Sequence, residues 1–295
     1  MKPFIAILIL VLISSCSSQE KSIQALNTNR EVTRFLKKNV DRCYTFKEVF
    51  NREKELDLED FKDFVKKADL NNDGTIDLLV DSFYGDPIIV LAKPDGLYKE
   101  ISIDLNSNTP DSQDQYTRID SITTINKQTV FLTSLMNINF NSKESNTDTL
   151  IKTDTLIIKF DELLSYENTS HNFKKIENII FQTDNCYGLC PVFKLEIQKD
   201  GNISYTGIEH TEFLGKLNST IDSQELIELF GIIEYSLIYK LENDYSINWT
   251  HYQTGNLKIN YLDGSIKEIR DYGLQGTREL RLIYDRLFEI NKNMK

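Results

Sequence analysis

The sequence predicts an α+β protein: a mostly β N-terminal domain with leading helices, then a small domain of antiparallel hairpins packed by two helices. Three observations lead to this class. Apolar and polar residues alternate over many short segments that end in polar turns, which is typical of antiparallel strands. Four other segments repeat apolar residues at intervals of three and four, which indicates helices. The 295 residues, 40% of them hydrophobic and 11% aromatic, can also build hydrophobic cores.

The first domain, residues 31–170, begins with two predicted helices and continues as strands. Helical spacing covers residues 31–40 and 56–67. Short apolar runs separated by polar turns follow, and they predict an antiparallel meander. Its strands are expected at residues 76–83, 88–93, 97–105, 118–125, 129–140 and 155–160. A polar stretch at residues 165–174 then separates the two domains.

The second domain, residues 174–292, combines two hairpins with two helices. Its first strand covers residues 176–183, and one hairpin turns at Asp200-Gly201 while the other turns at Asp263-Gly264. The first helix begins at Asp222, with Glu225 three residues later as in a capping box. The second helix covers residues 277–290. We expect both helices to cover one face of a sheet.

The N-terminus has the design of an export signal. Lys2 precedes an apolar run at residues 4–13, which is too short to cross a bilayer as a helix of about 20 residues. The tetrad Ile-Ser-Ser-Cys that ends at Cys16 resembles a bacterial lipobox. This resemblance implies cleavage before Cys16 and acylation of that cysteine, so residues 1–15 are the signal peptide and residues 16–30 a lipid-anchored tether. The alternative is an ordinary signal peptide with an incidental cysteine.

Export and charge together limit the compartment and the partners. A lipidated chain belongs to the cell envelope of a bacterium, on the periplasmic or surface face of the outer membrane. The net charge of −11 and the pI near 4.9 argue against nucleic acid as a partner. The expected partners are the membrane, reached through acyl chains on Cys16, and another envelope protein or a glycan.

Residues 69–77 have the ligand order of a calcium loop. Oxygen-bearing side chains fill positions 1, 3, 5, 7 and 9, and Gly74 at position 6 permits a sharp turn. Position 12, where an EF-hand has a bidentate Glu, is Val80, and a strand-like run follows instead of a helix. The five candidate ligands are Asp69, Asn71, Asp73, Thr75 and Asp77.

A loop of this kind that leads into a strand resembles the calcium loops of dockerin-like or FG-GAP/VCBS-type repeats, here in a single copy. Water or a distant carboxylate, such as Asp81 or Asp86, would complete the shell. The affinity would then fall in the weak extracellular class, with a Kd of about 10⁻⁴ to 10⁻³ M. Calcium is therefore the expected cofactor, as a structural ion. The alternative is a turn rich in Asn, Asp and Gly that binds no metal.

The cysteine motif at residues 186–191 admits three interpretations. In an exported chain Cys186 and Cys190 can form a disulfide, because Gly188 permits a turn tight enough to bring their Cα atoms within about 4.4–6.8 Å. Paired thiolates with a distant imidazole can instead bind copper, and the motif is similar to that of Sco-type copper chaperones, in which a helix follows. A redox-active dithiol is the third interpretation, but a strand after Pro191 would lack the helix N-terminus that lowers a thiol pKa. Cys43 is left over.

Several features follow one another in this part of the chain: Cys186-Tyr187-Gly188-x-Cys190-Pro191, an alternating strand, Asp200-Gly201 and Tyr205-x-Gly207. Together they resemble an uncharacterised domain family of bacterial lipoproteins that share Cys-(Phe/Tyr)-Gly-x-Cys-Pro followed by a hairpin. The resemblance covers about residues 176–291. It implies a fold unit without an assigned activity.

The sequence contains no motif of known catalytic spacing, such as the phosphate-binding G-x-x-x-x-G-K or the nucleophile elbow G-x-S-x-G. Tyr245, Trp249, His251 and Tyr252 can line a ligand face or serve as ordinary packing. We therefore expect a non-enzymatic binding or interaction module. The alternatives are a thiol-redox, copper-handling or hydrolytic envelope protein whose reactive groups come together only in the fold.

Overall fold

The computed structural model describes residues 22–40, 65–80, 87–102, 115–137, 149–167 and 173–294. Of this part 46% is strand and 21% is helical, in three sheets of mainly antiparallel strands. The protein is therefore mostly β, and the predicted α+β class is wrong. Some strands are too short or too exposed to show apolar alternation, so the sequence pattern misses them. These strands are β8 (Glu162–Ser165), β12 (Gly215–Thr220) and β13 (Asp244–Ser246).

The first sheet is a four-stranded antiparallel meander in the order β1-β2-β3-β4. The helix predicted over residues 56–67 is wrong at its end, because residues 65–67 belong to a strand that pairs with residues 78–80. Helical spacing is a weak prior that pairing in the folded chain overrides. Residues 56–64 lie outside the described part. The strands are β1 (Val65–Ala68), β2 (Asp77–Val80), β3 (Ile88–Ala92) and β4 (Tyr98–Ser102).

Helix α1 (Asn29–Asn39) packs on one face of this sheet and agrees with the helix predicted at residues 31–40. Thr28 Oγ1 accepts the N–H of Glu31 at 3.2 Å, and the Glu31 carboxylate accepts the N–H of Asn27 at 2.8 Å. This reciprocal arrangement satisfies donors at the start of the helix. The buried contacts between helix and sheet come from Val32, Phe35, Leu36, Leu78, Val80 and Val90.

The second sheet lies in the middle of the molecule and buries apolar side chains on both faces. In β7, Leu156 and Ile158 pack toward the first sheet, whereas Ile157 packs toward the third. This follows because successive side chains of a strand point to opposite faces. Strand β7 begins earlier than predicted, because its first residues are exposed and carry no burial pattern. The sheet consists of β5 (Gln115–Ile125), β6 (Gln128–Asn137), β7 (Thr149–Lys159) and β8, in that order.

The third sheet has seven strands in the order β12-β11-β10-β9-β14-β15-β13. Both predicted Asp-Gly hairpin turns are confirmed, with φ of 86° at Gly201 and 82° at Gly264. Within this sheet β13 pairs with β15 in parallel and the other neighbours are antiparallel. The remaining strands are β9 (Ile176–Thr183), β10 (Val192–Gln198), β11 (Asn202–Glu209), β14 (Thr254–Tyr261) and β15 (Ile266–Tyr272).

Two helices, α2 (Ser223–Tyr235) and α3 (Arg278–Asn293), share the core of the third sheet. Asp222 accepts the N–H of Gln224 at 2.8 Å, and Thr277 Oγ1 accepts the N–H of Leu280 at 3.3 Å, so both helices have side-chain caps. The core that the helices share with the sheet includes Phe181, Leu195, Leu257, Leu229, Ile233, Ile283 and Leu287.

The same core extends into the middle sheet, through Val130, Ile157 and Leu164. Helix α2 lies so close to this sheet that a Cβ on Gly231 would be 2.4 Å from the ring of Phe160. The layers therefore run from α1 through the first and second sheets to the helix pair and the third sheet. A shared core thus crosses the predicted boundary at residues 165–174. Among the described helices, none combines the length and apolar character needed to span a membrane.

Candidate functional site

The cysteine motif forms the loop between β9 and β10. The sulfur atoms of Cys186 and Cys190 lie 1.95 Å apart and the Cα atoms 5.8 Å apart, so the pair is at disulfide distance. The N–H of Gly188 donates to the Cys186 sulfur at 3.1 Å inside the turn. Strand β10 starts at Val192, directly after Pro191, as the sequence predicts. The loop is therefore a short disulfide-closed turn that leads into a strand.

The base of this loop is held by two polar side chains that sequence reasoning missed. Gln253 donates its amide to the carbonyl oxygens of Asp184 at 3.0 Å and Pro191 at 2.7 Å, and so joins the two ends of the loop. Thr183 donates its hydroxyl to the Pro191 carbonyl at 2.8 Å and accepts the N–H of Phe193 at 3.1 Å. Both side chains are buried. No pattern in the sequence marks them, because their partners are backbone atoms distant along the chain.

Apolar side chains gather around this loop at one end of the third sheet. Tyr187 is 83% exposed and Leu189 is 82% exposed, and the Tyr187 ring lies 4.6 Å from the ring of His251. Trp249 and Tyr252 are 41% and 43% exposed on the neighbouring loop. The end of β11 adds exposed Ile208, and the loop between β11 and β12 adds exposed Leu214, at the same end of the sheet. We call this set the loop-end surface: Tyr187, Leu189, Ile208, Leu214, Trp249 and Tyr252.

The loop-end surface accounts for six of the thirteen large hydrophobic residues that are exposed in the described chain. Single exposed apolar residues are normal, but contiguous groups indicate a binding surface. Ile208 carries a signal that sequence reasoning overlooked. It follows Ile203, Tyr205 and Gly207, which are buried at alternate positions of β11, and so is an apolar residue at an outward position.

The predicted ligand face is only partly brought together. Trp249, His251 and Tyr252 lie in the loop before β14, at the loop-end surface. Tyr245 instead packs against the core, and its hydroxyl accepts the N–H of Glu242 at 3.2 Å. Burial raises the pKa of Tyr245. This side chain therefore belongs to the packing and not to the exposed face.

The two other motif residues, Tyr205 and Gly207, have structural roles. The buried Tyr205 hydroxyl donates to Asn291 of α3 at 2.7 Å, and this bond ties β11 to the last helix. A Cβ on Gly207 would lie 1.9 Å from the carbonyl oxygen of Phe213, so only glycine lets the β11–β12 loop fold back. These positions therefore preserve the fold beneath the loop-end surface.

The predicted calcium loop closes on its own carboxylates. Asp69 accepts the N–H groups of Asp73 at 3.1 Å and Gly74 at 3.0 Å, and Asp73 accepts that of Thr75 at 2.7 Å. The Asn71 amide donates to Asp73 at 2.9 Å. Burial alone would raise the pKa of Asp73, but hydrogen bonds from Thr75 and Asn71 lower it. A carboxylate has about four acceptor sites, so Asp69 and Asp73 retain some for a cation.

Asp77 points away from this loop into the core. Its fully buried carboxylate accepts the N–H of Leu70 at 2.8 Å and the N–H of Ala92 at 2.9 Å, which fixes the loop to β3. Burial raises the pKa of Asp77 to about 6, although both N–H groups lower it. Throughout the described ranges, no three His, Cys, Asp or Glu side chains come close enough together to hold a metal ion. A cation here would thus depend on Asp69, Asn71, Asp73 and water.

Several predicted features lie outside the described residues: the signal peptide, Cys16, Cys43, Asp81 and Asp86.

Comparison with known proteins identifies one part of the chain. Residues 177–291 match a protein family described as a domain of unknown function, DUF6438. The expectation of an uncharacterised domain is therefore confirmed for this segment, which contains the disulfide loop and all of the loop-end surface. No curated protein matches the chain, and no solved structure matches it.

Proposed function

We propose that this chain is an exported, lipid-anchored protein of the bacterial cell envelope that binds another envelope protein through the loop-end surface. One observation carries the proposal: six exposed apolar side chains gather at a single end of the DUF6438 domain. Trp and Tyr are common among the residues that dominate binding energy in protein interfaces. These side chains supply contact area, which suits a non-enzymatic binding module.

The construction of the surface favours tight contact. Tyr187 and Leu189 project from a five-residue disulfide ring. The amide of Gln253 hydrogen-bonds to both ends of this loop and so holds its base together. A surface that is already ordered loses little conformational entropy when it binds, so more of its contact energy appears as affinity. The aliphatic Leu189, Ile208 and Leu214 suit an apolar protein pocket better than the hydroxyl-rich face of a glycan.

The charge around the surface indicates the chemistry of the partner. Asp184 and Glu209 flank the disulfide loop and accept hydrogen bonds from Asn256 and Asn185 at 3.3 and 3.4 Å. The whole chain carries a net charge of −11. Complementary potentials speed association and exclude wrong partners, so the partner should have an apolar pocket with a basic rim.

Photo-crosslinking in the native envelope tests this proposal. A photoreactive residue at position 189 should give a covalent adduct with one protein, and one at position 262 should not, because Leu262 is equally apolar but lies at the opposite end of the sheet. The adduct should disappear in a Tyr187→Ser/Trp249→Ser background and persist in a Leu262→Ser/Ile266→Ser background. Equal adducts from both positions would contradict the proposal, and crosslinking to glycan alone would change the partner class.

Lipid anchoring is tested separately. The full chain produced in a bacterium should partition into detergent, and the Cys16→Ala variant should remain in the aqueous phase, because acyl chains on that cysteine supply the anchor. Detergent partitioning of the variant would contradict a lipid anchor at Cys16.

We also propose calcium as a structural ion at Asp69, Asn71 and Asp73. Their shared loop and spare acceptor sites support this, and the loop docks on the middle sheet through a hydrogen bond from Thr129 to the Asp69 carbonyl at 2.9 Å. Calcium in millimolar amounts should raise the Tm of the native protein, and Asp73→Ala should abolish the rise. An equal rise with magnesium, or none with calcium, would contradict the site.

A further inference from the structure

A cavity lies between the middle sheet and the start of α3. Its volume is about 480 Å³, within the range of roughly 300–1,000 Å³ typical of small-molecule sites. Its wall comes from β6, β7, β8 and the segment that leads into α3. Of eleven lining residues only Leu135 and Gly276 lack a polar side chain, so a ligand of this cavity must be hydrophilic.

The wall of the cavity carries more cationic than anionic side chains, in an otherwise acidic protein. Lys152, Arg278 and Arg281 face two carboxylates, Asp154 and Glu279. Each carboxylate is already engaged, because Lys152 lies 2.8 Å from Asp154 and Ser165 donates both its N–H and its hydroxyl to Glu279. The cavity therefore favours an anionic ligand.

Arg278 lacks hydrogen-bond acceptors for part of its guanidinium group among the described residues. Its side chain is only 16% exposed, and its nearest ion-pair atom, in Asp154, is 3.6 Å from Nη2, which is too far for a hydrogen bond. Nε and Nη1 are buried and have no hydrogen-bond partner among the described residues. Buried donors without partners are costly, so a ligand that supplied acceptors would be bound favourably. Gln275 has an unsatisfied acceptor, because its buried Oε1 receives no hydrogen bond from any residue that the structure describes.

We propose that this cavity binds a small carboxylate that also carries hydroxyl groups. The carboxylate would pair with the guanidinium of Arg278, whose planar fork matches two carboxylate oxygens, and a hydroxyl would donate to Gln275. Nε and Nη1 are not in contact with solvent in the present arrangement. The guanidinium must therefore rotate when the ligand binds, so that Nε and Nη1 face the cavity. This site is separate from the loop-end surface and does not depend on the function proposed there.

Calorimetric titration of the full chain tests the proposal with D-glucuronate and citrate as probes and glucose as the uncharged control, all at matched ionic strength. At least one of the two carboxylates should bind saturably, and glucose should bind much more weakly than that carboxylate. Arg278→Gln should weaken binding by about tenfold to a hundredfold, as expected for loss of a hydrogen-bonded charge. Arg270→Gln should leave binding unchanged, because Arg270 pairs with Asp244 at an exposed position and is not part of the cavity wall.

A second variant guards against a folding defect in Arg278→Gln. Lys152 is largely exposed at the rim, so Lys152→Gln should fold normally and still weaken carboxylate binding. The inference is overturned if neither carboxylate binds saturably. It is also overturned if glucose binds as well as the carboxylate that binds, or if carboxylate binding survives both Lys152→Gln and a folded Arg278→Gln.

Discussion

At the scale of single residues, Asp77 shows how a predicted metal ligand can be a structural group. Both of its oxygens are used by backbone N–H groups, from Leu70 on one side and Ala92 on the other. The carboxylates of Asp69 and Asp73, by contrast, accept the N–H groups of residues in the exposed loop. Carboxylates at positions 1, 5 and 9 of one motif therefore have two different roles.

These roles predict different stability effects in the absence of metal. In EDTA, Asp77→Ala should lower the free energy of unfolding by about 2–5 kcal/mol, because two buried N–H groups lose their acceptor. Asp73→Ala should change it by about 0.5 kcal/mol or less, as is usual at exposed positions. Urea unfolding of the variants measures both values. Equal losses from the two substitutions would contradict the assignment.

The raised pKa of Asp77 also predicts a pH dependence. Its folded-state pKa of about 6 lies above the unfolded value near 3.9, so the folded state binds more protons in this interval. The contribution of Asp77 to stability is then full below about pH 4 and falls by roughly 3 kcal/mol as the pH rises through 6. Asp77→Asn removes the titration. The free energy of unfolding of the native protein minus that of the variant should therefore decrease from pH 4 to pH 7. A constant or growing difference would disprove the raised pKa of Asp77.

At the scale of elements, the disulfide loop is a small ring on a firmly hydrogen-bonded base. Cross-linking Cys186 to Cys190 closes only five residues, which limits the entropy that the bond removes from the unfolded chain. Gln253 and Thr183 hold the ends of the loop independently of the sulfur atoms. The sheet should therefore persist without the bond.

This predicts a modest cost for removing the disulfide. Cys186→Ala/Cys190→Ala should lower the free energy of unfolding by about 2 kcal/mol in the loop-entropy model, with an unchanged circular dichroism spectrum. Reduction of the native protein should give the same loss. A redox or copper-handling role would instead appear as thiol-dependent reductase activity or stoichiometric copper binding that the double variant lacks.

At the scale of the whole molecule, the shared core makes the middle sheet and the DUF6438 domain interdependent. Ile157 and Leu164 of the middle sheet belong to the same buried cluster as Ile283 and Leu287 of α3. Removing apolar contacts from one unit therefore exposes surface of the other. The predicted division at residues 165–174 should thus mark two folding units that unfold together.

Ile157→Ala tests this coupling. It should lower stability by about 2–5 kcal/mol, as for other buried aliphatic truncations. The fluorescence of Trp249, the one tryptophan of the chain, reports on the C-terminal unit, and its transition should shift together with that of the far-UV signal. Ile151→Ala is the matched control, because Ile151 is exposed on the same strand. A Trp249 transition unaffected by Ile157→Ala would show independent units.

Local patterns determined much of this protein by themselves. The Asp-Gly turns, the capped helices α1, α2 and α3 and the strand after Pro191 follow from nearby residues, because turn geometry, capping and alternation act over a few positions. The same holds for the cysteine pair, which a five-residue ring brings together. For the same local reason the sequence identified the segment that matches DUF6438.

Only the tertiary structure decided the class, the core and the surfaces. Exposed β12 and short β13 are strands because neighbouring strands pair with them, and local composition does not encode that pairing. The burial of Asp77, the separation of Tyr245 from Trp249 and the meeting of Tyr187 with His251 depend on contacts between distant segments. The cavity at Arg278 likewise requires strands from the middle sheet beside a helix more than a hundred residues later. Such contacts are fixed by packing of the whole chain, so no short stretch of sequence contains them.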